Sequence, residues 1–434
     1  MPASRPPLVI GQYELHGMMS SGGMATVHFG RLVGPVGFSR TVAIKRLHPH
    51  FAKDPSFVSM FVDEARLVSR IHHPNVIPTL DVVSTQGELF LVMDYVHGES
   101  LSKLLTAVRA QKARISPHIV SAILGGVLRG LHAAHEASHP KTGPLNIVHR
   151  DISPQNVLVG VDGSPRILDF GVAKALDRVQ ELTRDGQLKG KLAYMAPEQF
   201  TGGGVTRSVD IWAASVVLWE AITARRLFAA ERQVDTIKKI LESPIHPPSY
   251  SIIDLEKTLD SETHHMLQAL DSVVLRGLSR NPVERFSTAR EMAHALEAAM
   301  PPAAASEVTE WVEHYARDAL LARTLELNQL TDPLSQSVNT GLVEQIVSSA
   351  PPPTAAPRAS RPSLGPPPPP PMTAEARQRS AQTVQRSDPM AIAKTSAVAA
   401  PERLSPAIMV FIVLALVAIL VSAVLIAYTL MVKR

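Results

Sequence analysis

The chain has 434 residues, a formal net charge of +4 and 45% hydrophobic residues. This length suggests roughly two or three domains, and the apolar content is sufficient for at least one large core. The 43 basic and 39 acidic residues are spread along the chain without a long basic run, so we expect no nucleic-acid partner. The absence of cysteine excludes disulfides and thiolate metal sites.

The first part of the chain has the pattern of a small sheet. The N-terminal stretch, MPASRPPLVIGQYEL, has no apolar run long enough for a signal peptide, so we expect the main body to remain where it is made. Residues 13–96 then alternate β-like runs, TVHFGRLV, TVAIKRL and LFLVMDYV, with one helical pattern, FVDEARLVSRIH. These patterns predict a small β-rich lobe that contains one helix.

Two features of this lobe suit phosphate binding. Residues 18–30, MMSSGGMATVHFG, place glycines between two strand-like runs, where backbone N–H groups can approach phosphate oxygens. A plain hairpin explains this stretch equally well. The strand VAIK at residues 42–45 ends in Lys45, which can meet phosphate charge and can be fixed by an ion pair with Glu64 on the following helix. A solvated surface pair is the simpler alternative for these two residues.

From residue 101 to residue 300 the patterns are mainly helical and predict a larger second lobe. They are interrupted by NVLVG and PRILDF, which flank a good hairpin turn at Asp162 and Gly163. Three histidines of LHAAHEASH fall at helical spacing, namely His132, His135 and His139. They could form a metal site, but we favour packing or capping roles for them.

The interrupted region carries residues suited to phosphoryl transfer. Asp151, which ends the triplet HRD, can orient a hydroxyl group and accept its proton. Asn156 and Asp169 supply oxygen ligands of the kind that Mg²⁺ prefers. Phosphoryl transfer requires mainly positioning and charge neutralisation, and these side chains would supply both.

The composition changes after residue 300. Residues 308–327, VTEWVEHYARDALLARTLEL, mark a possible helical extension within residues 300–331 that could pad the main domain or pair with a second copy in a homodimer. Residues 332–405 are rich in Pro, Ala, Ser and Thr and predict a disordered, semi-stiff tether. Docking of a proline-binding partner, or phosphorylation of the tether, is the sharper alternative.

Residues 407–432 are almost entirely apolar and predict one transmembrane helix. No charged residue lies between Arg403 and Lys433. A helix of this length measures about 39 Å, against about 30 Å of hydrocarbon in a bilayer. Because only Lys433 and Arg434 follow, we expect a tail anchor that leaves the rest of the protein on the N-terminal side of the membrane.

The order of the motifs GGMATV, VAIK, HRDISPQN, DFG and APE resembles that of eukaryotic-like protein kinase catalytic domains over residues 13–299. With its tether and terminal span, the chain is most similar to membrane-anchored bacterial Ser/Thr protein kinases. The resemblance implies an α+β fold of two lobes, a small β-rich N-lobe and a larger helical C-lobe. It also implies phosphorylation of protein substrates with ATP, with Mg²⁺ or alternatively Mn²⁺ as the metal.

The resemblance assigns roles to the chemically suited residues. Asp151 would be the catalytic aspartate, and Asn156 and Asp169 would bind the metal. Lys45 would hold the α- and β-phosphates and pair with Glu64. Every residue of this set is present in the sequence, which favours an active enzyme.

The resemblance also identifies an expected nucleotide pocket and two structural features. Met93 would be the gatekeeper, with Asp94 and Val96 offering backbone groups to adenine. Two further expectations are that Glu198 pairs with Arg285 and that Asp210 and Trp212 belong to the central helix that anchors the catalytic loop. The remaining expected nucleotide contacts are Ser20, Ser21, Gly22, Gly23, Val27 and Ala43.

Three departures from the family pattern affect the expected site. The glycine-rich loop of the family is G-x-G-x-x-G-x-V, whereas this chain has Ser20, Gly22 and Ala25 at the three glycine positions. Because Ser and Ala are small, we still expect the loop to cover phosphate. The other two departures are Ser153, where the family has a lysine that meets the γ-phosphate, and Lys191, where it has a threonine that bonds this lysine and the catalytic aspartate.

We predict that the lysine has been relocated. A lysine side chain spans roughly 6 Å and carries a compact charge, so Lys191 could reach the γ-phosphate from the facing loop while Ser153 makes room. The alternative is that Lys191 points to solvent and a slower enzyme works without it.

Thr183 lies where activation-loop phosphorylation occurs in the family, and a phosphate there could pair with Arg150. An ordinary loop threonine is the alternative for that position.

The sequence therefore predicts an active, ATP- and Mg²⁺-dependent Ser/Thr protein kinase. The alternative is a membrane-tethered pseudokinase scaffold, which the departures at Ser20, Ala25 and Ser153 keep open. We expect the kinase domain on the cytoplasmic face of a bacterial inner membrane, because ATP is available there. The positive-inside tendency of Lys433 and Arg434 is a weaker indication in the opposite direction.

Overall fold

The computed structural model of the chain describes residues 7–35, 38–170, 191–253 and 261–331. These residues form a small lobe built on one sheet and a larger helical lobe. The connection between the lobes runs through residues 95–97. The architecture is the two-lobed α+β fold that the sequence predicts.

The N-lobe is built on a six-stranded antiparallel sheet with the strand order β1-β2-β3-β4-β6-β5. The central strand β4 is buried on both faces, since Val42 and Ile44 are fully buried and Ala43 between them is nearly so. Lys45 follows directly and is paired with Val27 on β3 and Leu91 on β6. The strands are β1 (Leu8–Ile10), β2 (Tyr13–Ser21), β3 (Ala25–Val33), β4 (Ser39–Leu47), β5 (Thr79–Thr85) and β6 (Glu88–Asp94).

Two helices follow β4, namely α1 (Pro49–Ala52) and α2 (Pro55–Val68). The buried residues of α2 recur every three or four positions at Phe57, Phe61, Ala65 and Val68, which is the spacing of one helix face. Phe57 and Phe61 pack in a cluster with apolar residues of the sheet. The helix is thereby held against the N-lobe sheet.

The C-lobe surrounds helix α5, every residue of which is buried. Helix α4 begins after Ser116 with Pro117 in its first turn, a position where the missing N–H of proline has no cost. Most of the remaining core residues of the lobe pack around these two helices. The helices are α3 (Leu101–Ala110), α4 (Pro117–His135), α5 (Ser208–Thr223), α6 (Gln233–Glu242), α7 (Pro248–Ile253), α8 (Ser261–Gly277), α9 (Ala289–Ala299) and α10 (Ala305–Thr331).

Five further strands of the chain are short. A three-stranded sheet has the order β11-β10-β7, and the predicted hairpin turn at Asp162 and Gly163 joins β10 to β11. Gly163 has a φ of +74°, a conformation that favours glycine at this turn. The strands are β7 (Gly98–Ser100), β8 (Ser138–His139), β9 (Gly143–Pro144), β10 (Val157–Gly160) and β11 (Pro165–Ile167), with β8 and β9 forming a separate ribbon.

A buried ion pair ties the segment after Lys191 to the base of the C-lobe. The guanidinium of Arg285 donates two hydrogen bonds to the carboxylate of Glu198, at 2.7 and 2.8 Å. It also donates to the backbone carbonyl of Ser208 at 3.0 Å and lies over the ring of Trp212. The pair expected from the sequence is present, and its two-pronged geometry satisfies both charges away from solvent.

Helix α10 lies beyond the residues that complete the two lobes. It is longer than the pattern at residues 308–327 indicated, and its buried residues pack on the C-lobe core. Thr309 donates a hydrogen bond to the carbonyl of Val161 at 2.8 Å, which fixes the start of the helix beside β10. The helix therefore pads the main domain, and its pairing with a second copy stays a prediction.

Two predicted segments lie outside the described residues. They are the tether at 332–405 and the apolar stretch at 407–432. Within residues 7–35, 38–170, 191–253 and 261–331, no helix is both long enough and apolar enough to cross a membrane.

Candidate active site

The loop that carries Asp151 is held by one buried carboxylate, that of Asp210 on α5. Its two oxygens accept hydrogen bonds from the backbone N–H groups of His149 and Arg150, each at 2.8 Å. The ring of His135 on α4 lies 2.8 Å from the same carboxylate, and its Nε2 carries the proton because a carboxylate only accepts. Three donors from two elements therefore converge on a side chain with no solvent exposure.

The charge of Asp210 is retained despite its burial. Burial by itself raises the pKa of this carboxyl, but the hydrogen bonds and charge of His135, together with His149, hold that pKa below its ordinary value. The carboxylate is thus ionised and acts as a fixed acceptor for the loop. The expected anchoring role of α5 has a direct geometric basis.

His149 is held in one tautomer inside the loop. Its Nε2 donates to the carbonyl of Leu168 at 2.9 Å, and its Nδ1 accepts from the N–H of Asp151 at 3.2 Å. Burial lowers the pKa of His149, so the neutral ring is favoured. The ring of Phe170 lies 4.6 Å away, centroid to centroid. His149 therefore couples the loop that carries Asp151 to the strand end that carries Asp169.

The side chain of Asp151 is contacted by two predicted site residues. The amide nitrogen of Asn156 donates to the Asp151 backbone carbonyl at 2.7 Å and to its Oδ2 at 2.8 Å. The ammonium of Lys191 lies 2.8 Å from the same Oδ2. Lys191 therefore points into the site, with about a third of its side chain exposed. The structure brings together the carboxylate of Asp151, the amide of Asn156 and the ammonium of Lys191.

Ser153 is almost completely buried. It is 1% exposed, in extended backbone, and its hydroxyl has one long contact to Gln155 at 3.5 Å. Ser153 is uncharged, and the positive charge beside Asp151 in this structure is that of Lys191.

Lys45 contacts Asp169 in this structure. Its ammonium lies 2.7 Å from Oδ1 of Asp169, and the lysine is about one-fifth exposed. The side chain of Glu64 lies outside the described residues, so the Lys45–Glu64 pair stays a prediction. Asp169 has a φ of +48°, and Arg150 has a φ of +63°, both in the left-handed region that is uncommon for residues other than glycine. Such conformations are typical of functional sites that the surrounding structure holds in place.

An apolar cluster between the lobes provides a surface for a planar base. Ala43 from β4 and Met93 from β6 are buried in it, together with Ile77. Val27, Val96, Leu158 and Leu168 pack around them, so the cluster takes residues from both lobes. The N–H of Asp94 bonds the carbonyl of Pro78 at 3.2 Å, and Val96 follows on the connection between the lobes. Of the predicted gatekeeper and hinge residues, Met93 and Val96 therefore belong to this cluster.

The predicted phosphate loop is a turn at the end of β2. Ser20 and Ser21 end this strand, and the N–H of Gly22 donates to the carbonyl of Ala25 at 2.9 Å, which closes the turn before β3. The ring of His48 bonds the Gly22 carbonyl at 3.0 Å, and its backbone N–H bonds the Met24 carbonyl at 2.9 Å. Gly23 lies in the turn itself. His48, the residue that follows β4, therefore holds the loop by hydrogen bonds to two of its carbonyl groups.

The donor set suits a divalent metal. Because the Asn156 amide nitrogen is committed to Asp151, its carbonyl oxygen is directed away from that carboxylate. The N–H of Leu168 bonds the backbone carbonyl of Asn156 at 2.9 Å, which brings Asp169 beside Asn156. Amide and carboxylate oxygens at adjacent strand ends are the ligands that Mg²⁺ accepts, with water and phosphate completing the shell.

The other candidate metal residues do not converge. His135 binds Asp210, and Nδ1 of His139 accepts from the backbone N–H groups of Lys141 and Thr142. Across the described ranges, no group of three or more His, Asp or Glu side chains is arranged to hold a metal ion. His135 and His139 therefore make hydrogen bonds within the fold, and the packing or capping role expected for His132 stays a prediction.

Some predicted positions lie in the gaps of the structure. Thr183 and the rest of residues 171–190 are outside the described ranges. Phosphorylation of Thr183 therefore stays a prediction. Lys191 is the first described residue after this gap, and it begins the turn Leu192–Tyr194.

Known proteins resemble the part of the chain that carries this site. Residues 13–296 match the family described as the protein kinase domain. The chain is 38% identical over 287 residues to the tyrosine-protein kinase MasK of Myxococcus xanthus, a match covering 66% of this chain and 43% of that protein. It is 28% identical over 314 residues to the serine/threonine-protein kinase PknB of Mycobacterium leprae, covering 70% and 46%. The serine/threonine-protein kinase PrkC of Bacillus subtilis is 30% identical over 284 residues, covering 65% and 40%.

The chain belongs to the protein kinase family. Members of this family use ATP and a divalent metal, and the site above has groups for both. Among solved structures, the kinase domain of Mycobacterium tuberculosis PknI has the same fold, with a TM-score of 0.50 and 23% identity over 68% of this chain and 99% of that one. The matches span less than half of the three relatives named above.

Sequence reasoning did not identify Leu158, Ile77 and His48 as site residues. Leu158 could have been found, because the alternation in NVLVG places it on the opposite face of the strand from Val157 and Val159. Ile77 and His48 have no local signal, since their contacts depend on segments distant in the sequence. The contacts of these two residues can be recognised only in the folded structure.

We predict that Asp210→Asn destabilises the protein and loosens the loop that carries Asp151. In the wild type, both carboxylate oxygens of Asp210 accept hydrogen bonds. An asparagine would replace one of these oxygens by an NH₂ group, which cannot accept, so at least one of the hydrogen bonds is lost. We expect the free energy of unfolding to fall by about 2–3 kcal/mol in denaturant titrations. Amide hydrogen exchange at residues 149–151 should become faster than in the wild type.

The matched control is Asp235→Asn on α6, where the carboxylate pairs with Arg232 at the surface. This change should leave both the stability and the exchange of residues 149–151 unaltered. Equal behaviour of the two variants would show that Asp210 does not hold the loop.

Proposed function

We propose that the protein is an active protein kinase that transfers the γ-phosphate of ATP to Ser or Thr hydroxyl groups of protein substrates, including its own. The observation that carries this proposal is the contact of Asp151 with both Asn156 and Lys191. A carboxylate that can accept a proton, a metal-binding amide and a cation thus meet at one point beside an apolar cleft. This combination suits phosphoryl transfer better than any other chemistry of these groups.

In the proposed reaction, the acceptor hydroxyl hydrogen-bonds to Asp151. The hydroxyl oxygen forms a bond to the γ-phosphorus, while the bond from this phosphorus to the bridging β,γ-oxygen breaks and ADP leaves with that electron pair. The hydroxyl proton passes to Asp151. Lys45 would neutralise the α- and β-phosphates, and Asn156 and Asp169 would hold Mg²⁺. When bound, the metal neutralises the charge of the β- and γ-phosphate oxygens.

The role proposed for Lys191 follows from its position. A hydroxyl engaged by Asp151 would lie within about 3 Å of the carboxylate, and the Lys191 ammonium is 2.8 Å from the same carboxylate. The ammonium is therefore close enough to stabilise negative charge on the transferred phosphoryl group. Contact with Asp151 supports this role over the alternative in which Lys191 points to solvent.

The pseudokinase alternative has less support. A pseudokinase loses the residues that bind the metal or accept the proton, whereas Asp151, Asn156 and Asp169 are all present. The first two are also in contact, and Lys45 bonds Asp169. The substitution at Ser153 is matched by the compensating cation of Lys191.

The identity of the acceptor amino acid has two candidates. Ser153-Pro154 keeps the proline usual in Ser/Thr enzymes, and PknB and PrkC carry that designation. The relative with 38% identity, MasK, is designated a tyrosine-protein kinase, which makes tyrosine the second candidate. We favour Ser and Thr on the residues of the loop.

We also propose that the protein acts at a membrane, with residues 407–432 as the anchor and the kinase domain on the cytoplasmic side. The support is compositional, since this stretch is uncharged and long enough to span a bilayer. Attachment would confine the kinase to substrates and signals near the membrane. Residues 332–405 would set how far the kinase domain can reach.

We predict that the purified chain incorporates labelled phosphate from γ-labelled ATP when Mg²⁺ is present. Asp151→Asn should lower the rate by about 10²- to 10⁴-fold, because the proton acceptor is lost. Acid hydrolysis should release phosphoserine and phosphothreonine. The matched control is Asp162→Asn, in the exposed turn between β10 and β11, which should retain the wild-type rate.

Two results would count against this assignment. Equal incorporation by the wild type and Asp151→Asn would leave only the scaffold alternative or a contaminating kinase. Phosphotyrosine as the sole product would keep the kinase activity but replace Ser and Thr by the second candidate.

We predict that the full-length chain expressed in bacteria sediments with membranes and resists carbonate extraction. Deletion of residues 407–432 should release it, because the apolar segment supplies the insertion energy. Deletion of residues 351–371 from the proposed tether is the control and should leave the protein in the membrane fraction. Identical partitioning of the two deletion variants would contradict anchoring by residues 407–432.

A further inference from the structure

Helix α10 contacts three parts of the kinase fold in succession. Its buried residues Val308, Val312, Ala316 and Leu320 recur every four positions and pack on the C-lobe core. This spacing marks one face of the helix. Arg323 follows three positions later on the same face, so a cation takes the place where the apolar stripe would continue.

Arg323 binds the strand that leaves the hinge. One guanidinium nitrogen donates to the backbone carbonyl of Gly98, and the other donates to the Glu99 carboxylate at 2.7 Å. The Glu99 side chain is 5% exposed, and its second oxygen accepts from the N–H of Ser100 at 2.7 Å. Lys103 also approaches Glu99, at 3.5 Å, from an exposed position on α3. Arg323 is therefore the nearer and more buried of these two cations.

The other side of this strand is equally constrained. Gly98 pairs with Gly160, and Ser100 pairs with Leu158, which borders the apolar cleft. A Cβ atom on Gly98 would overlap the carbonyl of Val159, so the two strands are in direct backbone contact. The hinge strand is thus held between β10 on one side and Arg323 on the other.

The next turn of α10 reaches the N-lobe. The carboxylate of Glu326 lies 3.8 Å from the position that a Cβ atom on Gly17 of β2 would occupy. Burial raises the pKa of the Tyr95 phenol on the hinge. The charge of Arg323 lowers this pKa and the charge of Glu326 raises it, so both side chains of α10 act on the hinge. One continuous helix therefore contacts the C-lobe, the hinge and the N-lobe.

We propose that Arg323 is a positioning residue for the nucleotide site, acting through the backbone of Gly98 and the buried carboxylate of Glu99. It fixes the segment that follows Val96, where a base in the apolar cleft would meet the hinge. Arg323 lies beyond residues 13–296, the part that matches the kinase family, so this support comes from outside the matched domain. The proposal rests on the proposed kinase function for its kinetic readout but not for nucleotide binding.

The test compares Arg323→Ala with Arg317→Ala in the full chain. Arg317 is an exposed arginine on the same helix. In Arg323→Ala, we expect the Kd for ADP, measured by calorimetry, to rise by about tenfold. In the kinase assay, the KM for ATP should also rise by about tenfold, while kcat changes by less than about twofold. Arg323→Lys keeps the charge beside Glu99 but not the two-pronged geometry and should give an intermediate Kd. Arg317→Ala should bind ADP as the wild type does.

A second measurement separates positioning from misfolding. Amide exchange at residues 95–100 should become faster in nucleotide-free Arg323→Ala, while exchange in α5 stays unchanged. Loss of protection in α5 would mean that the variant unfolds the lobe, and would overturn a local positioning role. An unchanged Kd for ADP in a folded Arg323→Ala, or a lower kcat at unchanged Kd, would also overturn the proposal.

The two proposals can fail separately. If the wild type transfers no phosphate but binds ADP, and Arg323→Ala weakens this binding, the kinase assignment fails and the role of Arg323 stands. If phosphate transfer is robust and ADP binding is insensitive to Arg323, the role of Arg323 fails and the kinase assignment stands.

Discussion

The active-site loop depends on one buried negative charge. The carboxylate of Asp210 accepts from two successive backbone N–H groups and from a histidine of a neighbouring helix, and it remains ionised inside the C-lobe. Arg150, between His149 and Asp151, has a left-handed backbone conformation. Such a conformation costs about 1–3 kcal/mol, so contacts of the surrounding structure must offset it. The helix that carries Asp210 is buried on every side, so it provides a rigid reference for the loop.

The remaining charges of the site are arranged around that reference. Two lysines meet two aspartates, Lys45 at Asp169 and Lys191 at Asp151. Lys191 is positioned by the turn that follows it, because Tyr194 donates to the buried carboxylate of Glu220 at 2.9 Å. A cation at Asp151 can therefore be supplied by a loop anchored to the same central helix. Under the proposed function, Lys191 would supply the positive charge that the family pattern places at the position of Ser153.

Local sequence patterns predicted much of this structure. The alternation in TVAIKRL, the turn at Asp162 and Gly163, and the spacing of the kinase motifs placed the main strands and the order of the lobes correctly. Helix α10 was recognisable from the apolar spacing between Val308 and Leu320. These features depend on neighbours within a few residues, where periodicity and turn chemistry are decisive.

Contacts between distant segments could not be predicted in the same way. The Lys45–Asp169 contact joins residues 124 positions apart, and the sequence analysis had named only Glu64 as the partner of Lys45. The bond from Arg323 to Glu99 joins residues 224 positions apart, and no local pattern links them. Lys191 was inferred because two departures from the family pattern complement each other, a signal that depends on the resemblance to that family.

We propose that the site needs a cation at Asp151 and that either of two loops can supply it. The direct measurement is single-turnover phosphate transfer by the wild type, Lys191→Thr and the double variant Lys191→Thr with Ser153→Lys. We predict that Lys191→Thr lowers the rate by about 10²- to 10³-fold and that the added Ser153→Lys restores at least about tenfold. A wild-type rate in Lys191→Thr, or no recovery in the folded double variant, would contradict this account.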